Sequence, residues 1–221
     1  MKRPLLVRHL GRLPYAEGLQ IQELLVAERQ AGRIIDVLLM LEHDPVFTMG
    51  RNARAENVLV SADALRERGF EIFETGRGGD VTYHGPGQVV GYPILELPAD
   101  RRDVHRYVRD LEEVMIRGCA DFGITAARIG GKTGAWVGTD KVGAIGVRIA
   151  RWVTSHGFAL NVTNDLDPFA LIVPCGIRDH GVTSLSRLLG RDVLAEDVAV
   201  RLSGHVADVF DLEIAAGQPA P

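Results

Sequence analysis

The chain has 221 residues, 46% of them hydrophobic, and a formal net charge of −4 at pH 7. This length suits one large domain or two small ones, and the slightly acidic balance gives no basic footprint for nucleic acid. No signal sequence or membrane-spanning run is visible, and two cysteines far apart do not form a disulfide framework. We therefore expect a cytoplasmic globular protein with free thiols and neither a nucleic-acid nor a membrane partner.

Strands and helices are predicted along the whole chain, without strict βαβ alternation. The strands are expected at residues 5–9, 36–42, 70–74, 89–97, 125–129, 133–137, 141–151 and 152–162. Helices are expected from Pro14 to a stop at Gly32, from Ser61 to Gly69, and at residues 103–122, 184–189 and 195–210. The pattern predicts an α/β fold (α+β type), a single domain around a mixed β-sheet over residues 1–216, with a frayed tail at 217–221.

Residues 77–88 (RGGDVTYHGPGQ) are the most informative stretch, because five of the twelve are glycine or proline. Glycine lets a backbone approach a ligand closely and adopt positive φ, and Pro86 fixes its own φ. Polar and titratable side chains, among them Arg77 and His84, are interleaved with these residues. We therefore interpret the stretch as a loop that wraps a ligand.

The two cysteines have different surroundings. Cys119 lies on the apolar stripe of the helix predicted at 103–122, which indicates an inert core residue. Cys175 lies between proline and glycine after an apolar run, which suggests either a small loop residue or a nucleophile. A free thiol with a pKa of about 8.5 is mostly protonated at neutral pH, so a nucleophilic Cys175 needs a neighbouring activator.

Lysine is scarce, with three residues against 22 arginines, and Lys132 and Lys141 both fall in one glycine-rich segment. Lysine, unlike arginine, can lose its proton, so these two lysines and His84 are the candidate activators of Cys175. His156 is the next histidine candidate. Phosphate binding by Lys132 is disfavoured because residue 126 is alanine where the P-loop pattern requires glycine.

Two other readings of these residues concern ligands. A zinc site built from Cys175, His180 and His84 is disfavoured because it lacks a spaced ligand pair. Small residues recur at 143–146 and 157–159, and together with the run at 77–88 they suggest a narrow groove for a long, thin ligand such as an acyl chain.

Three blocks of sequence carry a resemblance to a known family. Residues 77–88 resemble the signature of the lipoyl(octanoyl) transferases. Residues 133–137, 141–148 and 152–161 (WVTSHGFALN) are also similar to that family. So are residues 174–177 (PCGI), followed by 182–185 (VTSL). The blocks occur in the family's order, and the resemblance runs from about residue 5 to residue 210.

The resemblance implies a fold like the catalytic core of the biotin and lipoate protein ligases. It also implies transfer of an octanoyl group from octanoyl-acyl carrier protein to a lysine of lipoyl domains, such as the glycine-cleavage H protein and 2-oxoacid dehydrogenase E2 subunits. Cys175 would be the acyl-thioester nucleophile and Lys141 the group that lowers its pKa. No cofactor and no metal is implied. The substrate-binding residues implied are Arg77, Gly78, Gly79, Asp80, Val81, Thr82, Tyr83, His84, Ala144, Ile145, Gly146, Gly157, Phe158 and Ala159.

Three alternatives remain open. An ATP-dependent lipoate ligase of the same fold would not need the Cys175 thiol. A hydrolase would use the same acyl-enzyme but give it to water, and an acyl-binding module would form no covalent adduct. An acidic carrier protein has two candidate docking clusters, one of Arg101, Arg102, Arg106 and Arg109 and the other of Arg148 and Arg151.

Overall fold

The computed structural model of the protein describes residues 2–173 and 180–215. A large mixed sheet, a small three-stranded sheet and five α-helices make up this part of the chain, which confirms the predicted α/β fold class. The strands are β1 Arg3–Leu13, β2 Asp36–His43, β3 Val46–Met49, β4 Glu71–Glu74, β5 Val81–His84, β6 Gln88–Ile94, β7 Ala127–Ile129, β8 Lys132–Val137, β9 Asp140–Ala150, β10 Val153–Asn161 and β11 Leu212–Ile214. The helices are α1 Tyr15–Gln30, α2 Ala62–Glu67, α3 Val104–Ala120, α4 Leu185–Leu189 and α5 Ala195–Val209.

The large sheet has eight strands in the order β11-β1-β2-β6-β10-β9-β8-β7. Its first two pairs, β11 with β1 and β1 with β2, are parallel, and every later pair is antiparallel. The small sheet, in the order β4-β3-β5, contains the strand formed by part of the glycine-rich run. The register of β9 on β10 pairs Ala144 with Ala159 and Gly146 with Gly157.

Helix ends follow the sequence signals closely. The Asp103 side chain accepts hydrogen bonds from the first backbone N–H groups of α3, and Ser61 and Ser184 cap α2 and α4 in the same way. Helix α1 begins directly after Pro14, and Gly32 adopts a φ of +70° just beyond its end. These local signals explain why the helices were predicted within a few residues of their actual bounds.

The large sheet has two faces of different character. Helices α3 and α5 cover one face with a continuous apolar core that includes Leu160, Leu111 and Leu202. Cys119 is fully buried in this core, and burial raises the pKa of its thiol to about 12, so the prediction of an inert core cysteine is confirmed. Helix α1 covers the second face, which also carries buried polar groups.

The structure corrects the interpretation of residues 77–88 as a loop. Val81–His84 forms β5, which pairs antiparallel with β3, because its residues have a partner strand that lies far away in sequence. Strands β3 and β11 were also not predicted. None of the helices formed by residues 2–173 and 180–215 is long and apolar enough to cross a membrane. Cys175 and the predicted tail at 217–221 lie outside the described residues.

Candidate active site

A narrow cavity of about 40 Å³ lies on the second face of the large sheet, between that face and the glycine-rich run. It brings together segments that are far apart in sequence. Twelve of the fourteen predicted substrate-binding residues line it: Arg77, Gly79, Asp80, Val81, Thr82, His84, Ala144, Ile145, Gly146, Gly157, Phe158 and Ala159. Residues from the blocks at 77–88, 141–148 and 152–161 therefore converge on one space.

Gly78 and Tyr83 do not line this cavity. The N–H of Gly78 donates to the carbonyl of Val147 at 2.8 Å and joins the glycine-rich run to the large sheet. Successive side chains of a strand point to opposite faces, so Tyr83 points away from its neighbours Thr82 and His84. Its ring packs against the aromatic rings of Phe47, Phe70 and Phe169.

Small residues on β9 and β10 leave the space open. A Cβ at Gly157 would lie 2.1 Å from the carbonyl oxygen of Gly91, and a Cβ at Gly146 would lie 2.9 Å from Cδ of Arg77. Both distances are too short for a side chain without movement of the surroundings. The paired residues Ala144 and Ala159 add only methyl groups to the same wall. The glycines are therefore required by close approach, and the wall they form suits a thin ligand.

Arg77 places a permanent positive charge beside the cavity. Its guanidinium is buried and donates to the Thr48 hydroxyl from Nε at 3.2 Å and from Nη2 at 2.8 Å. It also donates to the carbonyl oxygens of Thr48 and Gly78. An arginine does not deprotonate in a protein, so this group orients the run and polarises the cavity without exchanging protons.

Asp80 anchors neighbouring backbone. Its carboxylate accepts the N–H groups of Arg54 and Val81 and a short hydrogen bond from the Asn57 side chain. The carbonyl of Asn57 in turn accepts the N–H of Val173 at 2.8 Å. Through Asn57, Asp80 therefore connects the glycine-rich run to Val173.

Three buried histidines surround the cavity and are neutral at pH 7. Burial, with a smaller contribution from the neighbouring His43, lowers the pKa of His84 to about 3. Burial lowers the pKa of His43 and of His156 to about 4 each. None of the three is therefore an imidazolium at neutral pH. His84 therefore lacks the positive charge that an activator of the Cys175 thiol would need.

The hydrogen bonds of two histidines indicate which ring nitrogen carries the proton. His43 Nδ1 lies 3.1 Å from the carbonyl of Leu13, a pure acceptor, so this nitrogen carries hydrogen and Nε2 accepts from the Tyr92 hydroxyl at 2.7 Å. In the same way, His84 Nδ1 donates to Oε1 of Gln88 at 2.6 Å. Both rings are thus fixed by neutral hydrogen bonds.

Lys141 stands at the start of β9, as predicted, and is 8% exposed. Its Nζ lies 4.7 Å from the centroid of the Trp136 ring, a cation–π distance. Its main chain pairs with the segment at 181–183. The N–H of Lys141 donates to the carbonyl of Gly181, and its carbonyl accepts the N–H of Thr183. The main chain of Lys141 is therefore tied to residues 181–183.

A second small cavity, of about 20 Å³, lies beside Lys141 and shares Thr82 and Ala144 with the first. Gln88 and Asn161 line it and are joined by a hydrogen bond of 2.9 Å from Gln88 Nε2 to Asn161 Oδ1. Phe169 and Val182 complete the wall. The two cavities thus adjoin at Thr82 and Ala144 and together extend from Lys141 to His156.

Lys132 is placed differently from Lys141. Its Nζ is in close contact with Nε2 of His180, whose Nδ1 donates to the carbonyl of Thr139. Lys132 lines neither of the two cavities. Within residues 2–173 and 180–215, no cluster of three histidine, cysteine, aspartate or glutamate side chains is placed to hold a metal ion.

Several residues that line the two cavities were absent from the predicted site, and so was the third buried histidine. Tyr15 and Tyr92 line the main cavity from α1 and β6, Val90 adds an apolar contact, and Asn161 faces the smaller cavity. His43 supports Tyr92 from β2. These residues lack a glycine-rich context or an unusual spacing, so no signal in the sequence distinguished them from core residues.

A family model matches most of the chain. The model of the lipoyl protein ligase A/B catalytic domain aligns with residues 14–207. Proteins named octanoyltransferase are close in sequence. The one from Solibacter usitatus is 53% identical over 211 residues, covering 96% of this chain and 95% of that protein. The one from Geobacter metallireducens is 47% identical over 220 residues, covering 98% and 100%. For the one from Myxococcus xanthus, which is 51% identical, the alignment covers 94% of this chain and 60% of that protein.

Solved structures share the fold at lower identity. A lipoate-protein ligase A bound with ATP superposes with a TM-score of 0.74 at 18% identity, covering 98% of this chain and 89% of that one. A biotin protein ligase from Aquifex aeolicus superposes with a TM-score of 0.53 at 11% identity, covering 96% and 70%. At these identities the comparison shows the fold alone, and the expected ligase-like architecture is confirmed. With the family model and the close relatives, it follows that the chain belongs to the lipoyl protein ligase A/B catalytic domain family as an octanoyltransferase, an acyl-transferring enzyme.

Proposed function

We propose that this protein transfers an octanoyl group from octanoyl-acyl carrier protein to a specific lysine of a lipoyl domain, through a thioester on Cys175. The proposed substrate site is the path formed by the two cavities. The octanoyl chain lies along the small-residue wall of β9 and β10, and the reacting carbonyl lies at Ala144, where the two cavities adjoin.

One observation carries this proposal. The small cavity at Lys141 is lined by Phe169 and Val182, which come from the two sides of the segment that contains Cys175. Val173 and Gly181 are also hydrogen bonded, to Asn57 and Lys141 respectively. Described residues from both sides of the segment thus line the cavity beside Lys141.

The electrostatics favour Lys141 as the activator. The three buried histidines are neutral, and Lys132 lies outside the two cavities, so the Lys141 ammonium is the candidate for stabilising a Cys175 thiolate. Lowering a thiol pKa by 1.5 units requires about 2 kcal/mol, which one nearby ammonium supplies. Arg77 adds positive charge to the same side of the sheet.

The proposed steps balance without a further reagent. Lys141 takes the proton of Cys175, and the thiolate attacks the carrier thioester. The carrier C–S bond breaks, and its sulfur leaves as a thiol with the proton from Lys141. The amine of the acceptor lysine then attacks the Cys175 thioester and gives a proton to the neutral Lys141. An amide forms, and the Cys175 thiolate and the Lys141 ammonium are restored.

This scheme needs no ATP, because a thioester is already activated and its conversion to an amide is downhill. An adenylating ligase would need ATP and no thiol. The structures of ligases support the fold but, at 18% identity or below, not the ligase reaction. The relatives named octanoyltransferase are about 50% identical to this chain, and this similarity favours the transfer reaction.

The proposed partners are an acidic carrier protein as donor and lipoyl domains as acceptors. These include the glycine-cleavage H protein and the E2 subunits of 2-oxoacid dehydrogenases. One structural neighbour, from Thermoplasma acidophilum, is described as a bipartite lipoate protein ligase and its E2 lipoyl domain, which supports such an acceptor. Each of the two arginine clusters has a member that is hydrogen bonded within the protein, Arg101 to the Val209 carbonyl and Arg151 to the Gln30 side chain. Both clusters therefore stay open as docking surfaces for the carrier.

The test is a transfer assay with octanoyl-carrier protein and a lipoyl domain, read by the mass of the lipoyl domain. The proposal predicts octanoylation without ATP and its loss in Cys175→Ala. Cys119→Ala is the matched control and should keep the reaction, because Cys119 is a buried core thiol on the opposite face of the sheet. Full activity of Cys175→Ala, or a strict need for ATP and free octanoate, would contradict the proposal.

A further inference from the structure

His156 occupies the far end of the acyl path and separates it from a second space. The residue lines the narrow cavity together with Gly157 and Tyr92. It also lines a larger groove of about 560 Å³ that lies under α1 and contains Ala27, Arg148 and Ser155. Apart from His156, the two spaces share no lining residue. His156 therefore lies between the narrow cavity and the larger groove.

The backbone holds His156 in an unusual conformation. His156 has a φ of +53°, in the left-handed region that residues with a side chain adopt rarely. Its N–H donates at 2.7 Å to Oε1 of Gln22, a buried side chain of α1. Its ring also makes an edge-on contact with Tyr92, with the centroids 6.3 Å apart. Helix α1 and β6 thus fix the imidazole across the end of the path.

The length of the path agrees with a medium chain. Ala144 marks the junction of the two cavities, and His156 pairs with Val147, three residues further along β9. Three residues of strand span about 10 Å. An extended eight-carbon chain built from C–C bonds of about 1.5 Å measures roughly 9 Å. A chain with its carbonyl at the junction therefore reaches His156 with its last carbons.

We propose that His156 is the chain-length stop of the acyl path and that its removal opens the path into the groove beneath α1. The inference rests on the proposed acyl transfer and names the residue that selects the acyl group. His156 is a specificity residue and takes no part in the proton transfers. The groove receives the end of longer chains only when the imidazole is absent.

The experiment compares kcat/KM for carrier thioesters of six to fourteen carbons in wild type, His156→Gly and His156→Asn. Glycine and asparagine both tolerate positive φ, so the backbone conformation is kept while the side chain shrinks. We expect wild type to use the twelve-carbon donor at least about tenfold less well than the eight-carbon donor. We expect His156→Gly to raise the twelve-to-eight ratio by about tenfold or more, with His156→Asn in between.

A second substitution locates the longer chain. Ala27 lies on the exposed side of α1 and lines the groove but not the acyl path. Ala27→Trp alone should leave the chain-length profile as it is in wild type. In the His156→Gly background it should reduce transfer of the twelve-carbon chain and return the ratio toward the wild-type value, because the indole fills the space into which the chain extends.

The outcomes separate the two proposals. Equal use of eight- and twelve-carbon donors by wild type, or an unchanged ratio in folded, active variants at position 156, would overturn the chain-length stop while leaving acyl transfer intact. Failure of wild type to transfer any acyl chain would instead overturn the proposed function. Thermal unfolding of each variant identifies those that do not fold. If no variant folds, the dependence of the wild-type kcat/KM on acyl chain length still tests the chain-length stop.

Discussion

The two faces of the large sheet are built from the same strands but have different compositions. On the face covered by α3 and α5, alternate residues of β10 are large and apolar, such as Phe158 and Leu160. On the face covered by α1, Gly157 and Ala159 alternate with them and leave a cavity. On β9, Ile145 both packs against this core and borders the cavity, whereas Ala144 and Gly146 border the cavity without joining the core.

The buried histidines lie on one side of this division. Three neutral histidines and Arg77 lie on the cavity side, whereas the buried polar side chains of α3 and α5 are Glu112 and Ser203. Apolar packing stabilises the first face, and hydrogen bonds fix the second. A single strand therefore contributes stability with one set of residues and a binding surface with the other. Substitutions on the two faces should separate these two contributions.

The largest expected effect is a loss of stability on the core face. Leu160→Ala removes a fully buried side chain from the cluster under α3 and α5. We expect the free energy of unfolding to fall by about 2–5 kcal/mol, because the transfer free energy is lost and a cavity remains. Chemical denaturation measures it. A change below about 1 kcal/mol would contradict the assignment of this face as the main source of stability.

The second effect concerns the two lysines of the glycine-rich segment. We expect Lys141→Ala to lower kcat for octanoyl transfer by about 100-fold or more, because the proposed proton acceptor is removed. Lys132→Ala is the matched control and should change kcat by less than about twofold, since Lys132 lines neither cavity. Similar losses in both variants, in single-turnover assays with folded protein, would contradict the distinct role of Lys141.

The third effect is a loss of stability in mild acid that originates on the cavity face. The pKa of His43 is lowered by burial to about 4, so the unfolded chain, with an ordinary pKa near 6.5, binds more protons below pH 6.5. Stability is therefore present above pH 6.5 and is lost as the pH falls toward 4. This histidine alone accounts for about 2 kcal/mol between pH 7 and pH 5.

Denaturation curves at several pH values test this expectation. His43→Gln should show a shallower loss of stability between pH 6.5 and 5 than wild type. His9→Gln, at an exposed position on β1, should follow the wild-type curve. If His43→Gln lost stability as steeply as wild type, the buried neutral state of His43 would not be the cause.

The smallest expected effect is on substrate use at the cavity face. Ala144→Leu places a branched side chain at the junction of the two cavities. We expect kcat/KM for octanoyl transfer to fall by about tenfold, while a two-carbon donor is affected less, because the added side chain fills the path. Thermal unfolding serves as the control for folding. An equal loss with both donors would argue against a steric effect on the acyl chain.

Much of the fold was predictable because its signals are local. The capping residue Asp103, the proline before α1 and the continuous apolar run of β2 each determine structure within a few residues. Strand β5 was missed because glycines flank it and its pairing with β3 bridges more than thirty positions of sequence. Local pattern carries no information about such a distant partner.

The site was predictable to the extent that its residues lie in unusual sequence. The glycine-rich run and the small residues of β9 and β10 were recognised, and twelve of them line the cavity. Tyr15 and Tyr92 were not, because their position on the cavity depends on how α1 packs on the sheet. Burial keeps His84 neutral, and the burial of this side chain could not be predicted from the sequence.

The central claim is that the acyl group passes through Cys175, and the intact mass of the enzyme tests it directly. The enzyme is mixed with octanoyl-carrier protein in the absence of any acceptor, and its mass is measured before and after addition of a lipoyl domain. We predict a gain of one octanoyl group in wild type and in Cys119→Ala, none in Cys175→Ala, and its discharge by the lipoyl domain. An enzyme that transfers octanoate to the lipoyl domain while its own mass never changes, even in rapid-quench samples, would contradict the account.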